Sequence, residues 1–499
     1  MLAAPPPASS YGRRPLGERM IADLKAKLQR AFNPRSVAVV GDKKQSDYMW
    51  LNSLAHFQGK VYSVQIDPKE IPGIEALGVP NYKSLLDIPG PIDYALVSVP
   101  RPVAPRVLQD CIAKGVGAAA FFTSGFAETK TEDGLLLQAS LTKMAQAADF
   151  ALIGPNCMGP YVPGIGLRNN TDEAWGVSGP VAFISQSGGN LVNFSQAAAA
   201  SGIHISKAVS YGNAIVLDST DFLEYIVDDP DTQLIGAYIE GVKDGRRFFR
   251  LLRENAGKKP VIIWKGGQTP DGARATSSHT ASLAESMAVW EALMKQCGVL
   301  RANDVDEMVD TVKALVMVKP GVGDRVGMVS MAGGSSVTIT DTFGRAGLRV
   351  PELSADSYRK LGSFFNIIGG SYRNPLDAGQ TFRSADLLVQ MLETLRDDPQ
   401  IDSVVLEMAA RRGDRDPKLM EGLLPALQRF KEGTTKPFLM VVSPPQRVEH
   451  YERYAQLRDE LTARGIAVYS TSQRAAATLR RVVDYYRFRQ EMGAVLPGA

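Results

Sequence analysis

The sequence predicts an α/β protein: a Rossmann-type domain followed by two flavodoxin-like domains, each a doubly wound parallel sheet. Two observations predict it. Short apolar runs alternate with helical patterns along the first third of the chain, as in a parallel sheet with covering helices. The rest holds an internal repeat in which a strand runs through a small polar turn into a Gly-Gly that opens a helix.

Residues 1–16, with Pro5 to Pro7 and Arg13 and Arg14, lack the apolar stretch of a secretory signal and are expected to form a flexible arm. A helical pattern over Glu18 to Phe32 leads into Ser36-Val-Ala-Val-Val40, a first buried strand closed by Gly41. Further strands are expected at Val61 to Ile66, Tyr94 to Val99, Gly117 to Phe122 and Phe150 to Ile153. This first domain should span 17–166, ending in a stretch of Gly, Pro and Asn.

The repeat divides the remainder into 167–320 and 321–499. Val181-Ala-Phe-Ile-Ser-Gln-Ser-Gly-Gly189 answers to Val326-Gly-Met-Val-Ser-Met-Ala-Gly-Gly334. Asp228-Asp-Pro before Leu234 to Ile239 answers to Asp397-Asp-Pro before Ser403 to Leu406. Lys259-Pro before Val261 to Trp264 answers to Lys436-Pro before Phe438 to Val442.

Composition narrows the class. Of 499 residues, 44% are hydrophobic and 22% charged, which fits a globular chain and excludes wholesale disorder. A net charge of +3 points to neither nucleic acid nor anionic membrane, and no apolar run reaches the roughly 20 residues that span a bilayer. Cys111, Cys157 and Cys297 are widely spaced and odd in number, so neither a disulfide framework nor a zinc or other metal site is expected, and a cytoplasmic location fits.

Ligands of such sheets bind at the carboxyl ends of the strands. Helix N-termini there present unpaired N–H groups, which makes Ser187, Gly188 and Gly189 in one copy and Gly333, Gly334 and Ser335 in the other candidates for phosphate. Tight packing is the other reason for glycine at such turns. His279 sits in the small-residue segment Lys265 to Ala284, expected to be a loop between a strand and a helix. A neutral imidazole there can attack phosphorus and leave again; a capping or surface histidine is the alternative. Glu240 ends a predicted buried strand and is either an orienting carboxylate or a turn residue.

The segments Gly272-Ala-Arg274 with Ser277-Ser-His-Thr280, Ile153-Gly-Pro-Asn-Cys-Met-Gly159, Ser185-Gln-Ser-Gly188, Tyr238-Ile-Glu-Gly241 with Asp244-Gly-Arg-Arg247, and Asn374-Pro-Leu-Asp377 occur in an order that resembles the NDP-forming acyl-CoA synthetases. These include ADP-forming acetyl-CoA synthetase and, more distantly, the succinyl-CoA synthetases. The resemblance runs from about Phe32 to Tyr485. It implies an α-type subunit in which His279 is phosphorylated by ATP and passes the group to a carboxylic acid, Glu240 orients the imidazole, and CoA takes the acyl group. CoA is implied at Gly41, Lys69, Val99, Pro100, Thr123, Ser124, Gly125, Asn156 and Cys157, with Cys157 a small buried residue rather than a nucleophile.

Two departures shape the expectation. Gly41-Asp-Lys-Lys44 replaces the family's Gly-x-Ser turn, so Lys43, Lys44 or Lys69 supplies charge for the CoA phosphates. No ATP-grasp segment occurs in the sequence, so ATP or ADP with Mg²⁺ is expected on a separate β-type subunit, in an α/β heteromer such as α2β2. The alternative is a CoA-binding or regulatory protein that has lost the ATP-dependent half. A nicotinamide dehydrogenase is excluded, because Gly41-Asp-Lys-Lys lacks the full Gly-x-Gly-x-x-Gly turn. Phe364-Phe365-Asn-Ile-Ile368 is expected in a core, with an acyl pocket as the other reading.

Overall fold

Val37, Val39 and Val40 are β-branched and buried, and a run of such residues without alternation suits a strand covered on both faces. The computed structural model describes residues 18–279, 286–331, 333–379, 381, 384–409 and 417–494, and the arm expected over 1–16 lies outside them. The run forms β1 (Ser36–Val40), joined by β2 (Lys60–Val64), β3 (Asn81–Tyr82), β4 (Tyr94–Val97), β5 (Ala118–Phe121) and β6 (Leu152–Ile153). The order is β3-β2-β1-β4-β5-β6 with every pair parallel, the order of a Rossmann sheet.

The second sheet holds β7 (Gly159–Tyr161), β8 (Val181–Ser185), β9 (Ile205–Ser210), β10 (Leu234–Ile239), β11 (Val261–Lys265) and β12 (Leu300–Ala302), in the order β12-β11-β10-β8-β9-β7. β7 runs antiparallel to β9, so the chain enters this sheet ahead of Gly166. The third sheet holds β13 (Val326–Ser330), β14 (Leu376–Asp377), β15 (Ser403–Ala409), β16 (Phe438–Ser443) and β17 (Val468–Tyr469), in the order β14-β13-β15-β16-β17. Leaving β7 aside, both sheets follow the flavodoxin-like order 2-1-3-4-5.

Strand register equates the copies residue by residue. Leu234 pairs with Val181 as Ser403 pairs with Val326, and Ile235 with Val261 as Val404 with Phe438. Ser185 therefore corresponds to Ser330, Tyr238 to Glu407, Glu240 to Ala409 and Lys265 to Val442. From β9 and β14, Ser210 corresponds to Asp377.

Apolar burial joins the units. Phe32, at the end of the helix Glu18–Phe32, stacks on Tyr225 of the second unit at 5.2 Å, while the Tyr225 hydroxyl donates to Gln29 Oε1 at 2.8 Å. The helices Val305–Met317 and Ser472–Glu491, which close the two repeats, pack on each other, and Arg474 Nε donates to Asp310 Oδ2 at 2.5 Å between them. Contact between equivalent elements is what a two-fold relation produces.

Two expectations are corrected. The segment around His279 is not a loop throughout: Pro270–His279 is a helix, with proline at its first position, Asp271 in its first turn and alanines at 273 and 275. The 364–368 stretch is only partly core. Phe365 is buried, but Ile367 and Ile368 are 63% and 81% exposed, on a stretch that runs into a turn with Gly369 at φ +74°.

Candidate functional site

At the carboxyl ends of β1, β4 and β5 lies a cavity of about 390 Å³ lined by Gly41, Lys43, Ser98, Val99, Pro100, Arg101, Phe122, Thr123 and Ser124, with Gln45 and Ser46 at its edge. Gly41 has φ +89°, and a Cβ there would stand 2.6 Å from Ser98 O and Val99 Cγ1, so only glycine fits. Thr123 ties two strand ends together: its hydroxyl donates to Val99 O at 2.8 Å and accepts from Val99 N at 3.3 Å.

The unusual Gly41-Asp-Lys-Lys turn has a structural cause. Asp42 is buried, and its carboxylate accepts from Lys43 N at 3.0 Å and Leu51 N at 2.9 Å. Burial pushes the Asp42 carboxyl above its ordinary range while those amides pull it back. Gln65 locks the other side, donating to Asp42 O at 2.9 Å and accepting from Ile66 N and Asp67 N. The folded turn brings Lys43, Gln45 and Ser46 to the cavity.

Lys69 is exposed on the loop after β2, its amide donating to Asp67 Oδ1, and it does not line this cavity. Sequence reasoning passed over Arg101, whose Nη1 donates to Gly125 O at 2.7 Å and which lines the cavity beside Pro100. Its position directly after the Ser98-Val-Pro100 turn was the available signal. A cradle open only to glycine, two cations and four hydroxyls suits a phosphate-bearing nucleotide such as CoA.

Gly125, Asn156 and Cys157 stand deeper, towards the second sheet. Gly125 (φ +98°) donates to Glu128 Oε1 at 2.6 Å. Asn156 (φ +59°) donates to Asn213 Oδ1 at 3.4 Å, and Asn213 Nδ2 donates to Glu128 Oε2 at 2.6 Å, so these amides bridge the first two units. Burial pushes the Cys157 thiol up to about 12, which keeps it protonated and unreactive at neutral pH.

The helix Pro270–His279 packs against the short turn Ala127–Thr129 of this same bridge. The side chains of Ser277, Ser278 and His279, and Thr280 as a whole, lie outside the described residues. Glu240, which follows β10, is 5% exposed; its Oε1 accepts from the Tyr238 hydroxyl at 3.1 Å and its amide donates to Gln186 Oε1 at 2.9 Å. Burial, with the Glu240 charge beside it, pushes the Tyr238 hydroxyl well above its ordinary range, so Tyr238 remains a donor. Buried Lys265 reaches in from β11 to donate to Glu240 O at 2.7 Å.

Ser187 caps the helix Gly188–Ala199 by accepting from Asn190 N at 3.3 Å. A Cβ on Gly188 would meet Met158 Cγ at 3.0 Å, whereas one on Gly189 would find only Ser187 Oγ, at 4.0 Å. In the other copy Gly333 and Gly334 open the helix Gly333–Arg345, with Ser335 in its first turn. A Cβ on Gly333 would lie 2.9 Å from Asp377 Oδ2, and one on Gly334 would meet nothing within 4 Å.

Known proteins share this sequence pattern and fold. Residues 35–163 match the CoA binding domain family and residues 178–315 the succinyl-CoA ligase like flavodoxin domain family. The subunit alpha of ADP-forming acetate–CoA ligase II from Pyrococcus furiosus is 34% identical over 459 residues, 91% of this chain and 96% of that protein. The chain belongs to the ADP-forming acyl-CoA ligase family. A relative from Archaeoglobus fulgidus, ADP-forming acetate–CoA ligase I, is 34% identical over 382 residues, 76% of this chain but 54% of its own length. The dinucleotide-forming acetyl-CoA synthetase 1 of Ca. Korarchaeum cryptofilum, solved with phosphate and ADP, superposes with a TM-score of 0.79 at 29% identity, covering 94% of this chain and 99% of its own. No helix among the described residues is long and apolar enough to cross a membrane.

Proposed function

We propose that the chain is the α-type subunit of a ligase that forms acyl-CoA from a carboxylic acid, CoA and ATP through a phosphohistidine at His279. A nitrogen of the His279 imidazole attacks the γ-phosphorus of ATP and ADP departs. The carboxylate of the acid then takes the phosphoryl group from His279, giving an acyl phosphate. Attack of the CoA thiolate on its carbonyl carbon forms the thioester and releases phosphate.

The observation that carries this reading is the meeting of elements at one place. The helix that ends in His279 packs on the Ala127–Thr129 turn behind the CoA cradle, and Glu240 closes the strand next to β11, from which that helix departs. Glu240, held by Tyr238 and Gln186, has the buried, oriented carboxylate that a histidine carrying a dianion needs for tautomer and angle. Ser187, Gly188 and Gly189 supply the N-terminus of one helix to the phosphoryl group, and Gly333, Gly334 and Ser335 that of its repeat. CoA sits along Gly41, Val99, Pro100, Thr123 and Ser124, with Lys43 and Arg101 on its phosphates; Gly125, Asn156 and Cys157 back that site.

ATP and ADP with Mg²⁺ belong in this reading to a separate β-type ATP-grasp subunit, in an α/β heteromer such as α2β2. The three domains are 17–166 for CoA and 167–320 and 321–499 for the two ligase units. The test is to incubate the chain with that subunit and γ-labelled ATP, or alone with acyl-CoA and labelled phosphate. An acid-labile, base-stable label that disappears in His279→Ala is expected. A chain that binds CoA and takes no label in either direction is instead a CoA-binding protein.

A further inference from the structure

We infer that the groove between the helices Gly245–Asn255 and Met287–Cys297 is the surface on which the ATP-grasp chain docks, an inference that rests on the reading above. The groove has a volume of about 700 Å³, and its walls are Val242, Phe249, Val289, Leu293 and Gln296. Val289 is 66% exposed, and Val289, Leu293 and Gln296 follow helical spacing, so they form one stripe. Beneath them Phe248 meets Trp290 edge-on at 5.8 Å, which makes the floor rigid.

One rim of the groove is cationic. Arg246, Arg250 and Arg253 recur at i, i+4 and i+7 beside Phe249, all exposed, and among the described residues none forms an ion pair. Arg247, next in sequence, does the opposite and holds both Asp221 and Glu224. An apolar trough flanked by three unpaired arginines fits a protein surface with an aliphatic centre and Asp or Glu beside it. A nucleotide fits less well, since among the described residues on the walls only Ser286, Gln296 and the Trp290 indole carry polar side-chain atoms to read a base or ribose.

Position and size name the occupant. The helix Met287–Cys297 begins eight residues after His279, so a chain seated here stands beside the segment that carries the phosphoryl group. The Pyrococcus relative, 96% of which this chain spans, is named a subunit alpha, and a chain of that kind meets a second subunit through a non-covalent surface. That partner must come within reach of His279.

The experiment titrates the ATP-grasp chain of the same organism into this chain and three variants. Val289→Asp is expected to weaken binding at least about tenfold, as loss of an interface-centre contact does. Arg246→Glu with Arg250→Glu is expected to slow association about tenfold at low salt and to remove its salt dependence. Val448→Asp alters a still more exposed valine on the third unit and should bind like the parent. CoA titration of each variant reports folding. If both groove variants bind like the parent while the parent pair makes acyl-CoA, the groove is not the docking site and the proposed function stands. A parent that neither binds the ATP-grasp chain nor takes label with it overturns both. A parent that is a dimer split by Val289→Asp overturns the inference in favour of self-association.

Discussion

Ser210 and Tyr238 in the first flavodoxin-like unit stand where the second unit has Asp377 and Glu407. The strand order and register are the same, and Ser185 corresponds to Ser330 in position. Yet the Ser330 hydroxyl donates to Glu407 Oε2 at 2.7 Å, whereas Ser185 donates to the backbone of its own Gly-Gly turn, Ser187 O, at 2.6 Å. Glu240 and Lys265 have only Ala409 and Val442 opposite them. One helix N-terminus thus opens onto hydroxyls and the other onto carboxylates. The backbone donors of the Gly-Gly turn occur twice, whereas the buried pair Glu240 and Lys265 occurs once, so the chemistry is expected to fall on the first copy.

The largest test of that asymmetry is His279→Ala, expected to remove the acid-labile label and lower turnover by on the order of a thousandfold or more while CoA titration stays unchanged. Glu240→Gln follows. It keeps an acceptor of the same shape for the Tyr238 hydroxyl, and the backbone bond to Gln186, but removes the charge, and labelling rate should fall by roughly 10- to 100-fold. Equal losses in Glu407→Gln would show that both copies act in phosphoryl transfer.

Matched glycines sharpen the comparison. Neither Gly189 nor Gly334 would bring a Cβ into a clash, so alanine at either should leave thermal stability unchanged or raise it by up to about 1 kcal/mol. A fall in kcat/KM therefore reports a ligand that approaches the backbone. About tenfold is expected for Gly189→Ala and less for Gly334→Ala, and the reverse order would move the anion to the second copy.

The entries to the two units differ too, with an effect on stability rather than rate. Glu173, on the segment leading into the first unit, is 3% exposed, and burial pushes its carboxyl up to about 7 despite the amide of Asn169 at 2.7 Å. The native state then holds a proton that the unfolded chain has lost, so stability is greatest below about pH 4.5 from this group and falls as pH rises to about 7, by up to about 3 kcal/mol. Asp324, leading into the second unit, behaves oppositely: hydrogen bonds from Arg349 hold its carboxyl below its ordinary range. Denaturant titrations across pH should show Glu173→Gln flattening the slope between 4.5 and 7, with turnover unaltered.

Much of this architecture was legible in one dimension. Strands over Ser36–Val40 and Leu234–Ile239 were readable because a buried parallel strand needs an unbroken apolar run bounded by turn residues, and the repeat because Asp-Asp-Pro and Lys-Pro recur in step with it. The family was legible in the motifs around His279, Glu240 and Asn374, since small and polar residues at strand ends are kept for chemistry rather than packing. The helix Pro270–His279 was not, because Gly272, Thr276, Ser277 and Ser278 are weak helix formers that outweigh its two alanines in a short segment, and contact with the Ala127–Thr129 turn supports it.

What the sequence by itself determined is therefore the order of elements, the duplication and the residues able to carry a phosphoryl group: these depend on periodicity and side-chain chemistry, which are local. Only the tertiary structure decided that Lys43 and Arg101 rather than Lys69 line the cradle, that Asp42 and Gln65 fold the odd turn, and that Asp377 and Glu407 stand where the first copy has Ser210 and Tyr238. Each of those depends on which strand ends lie side by side, and pairing register between segments tens of residues apart is set by the packed core, not by any local signal.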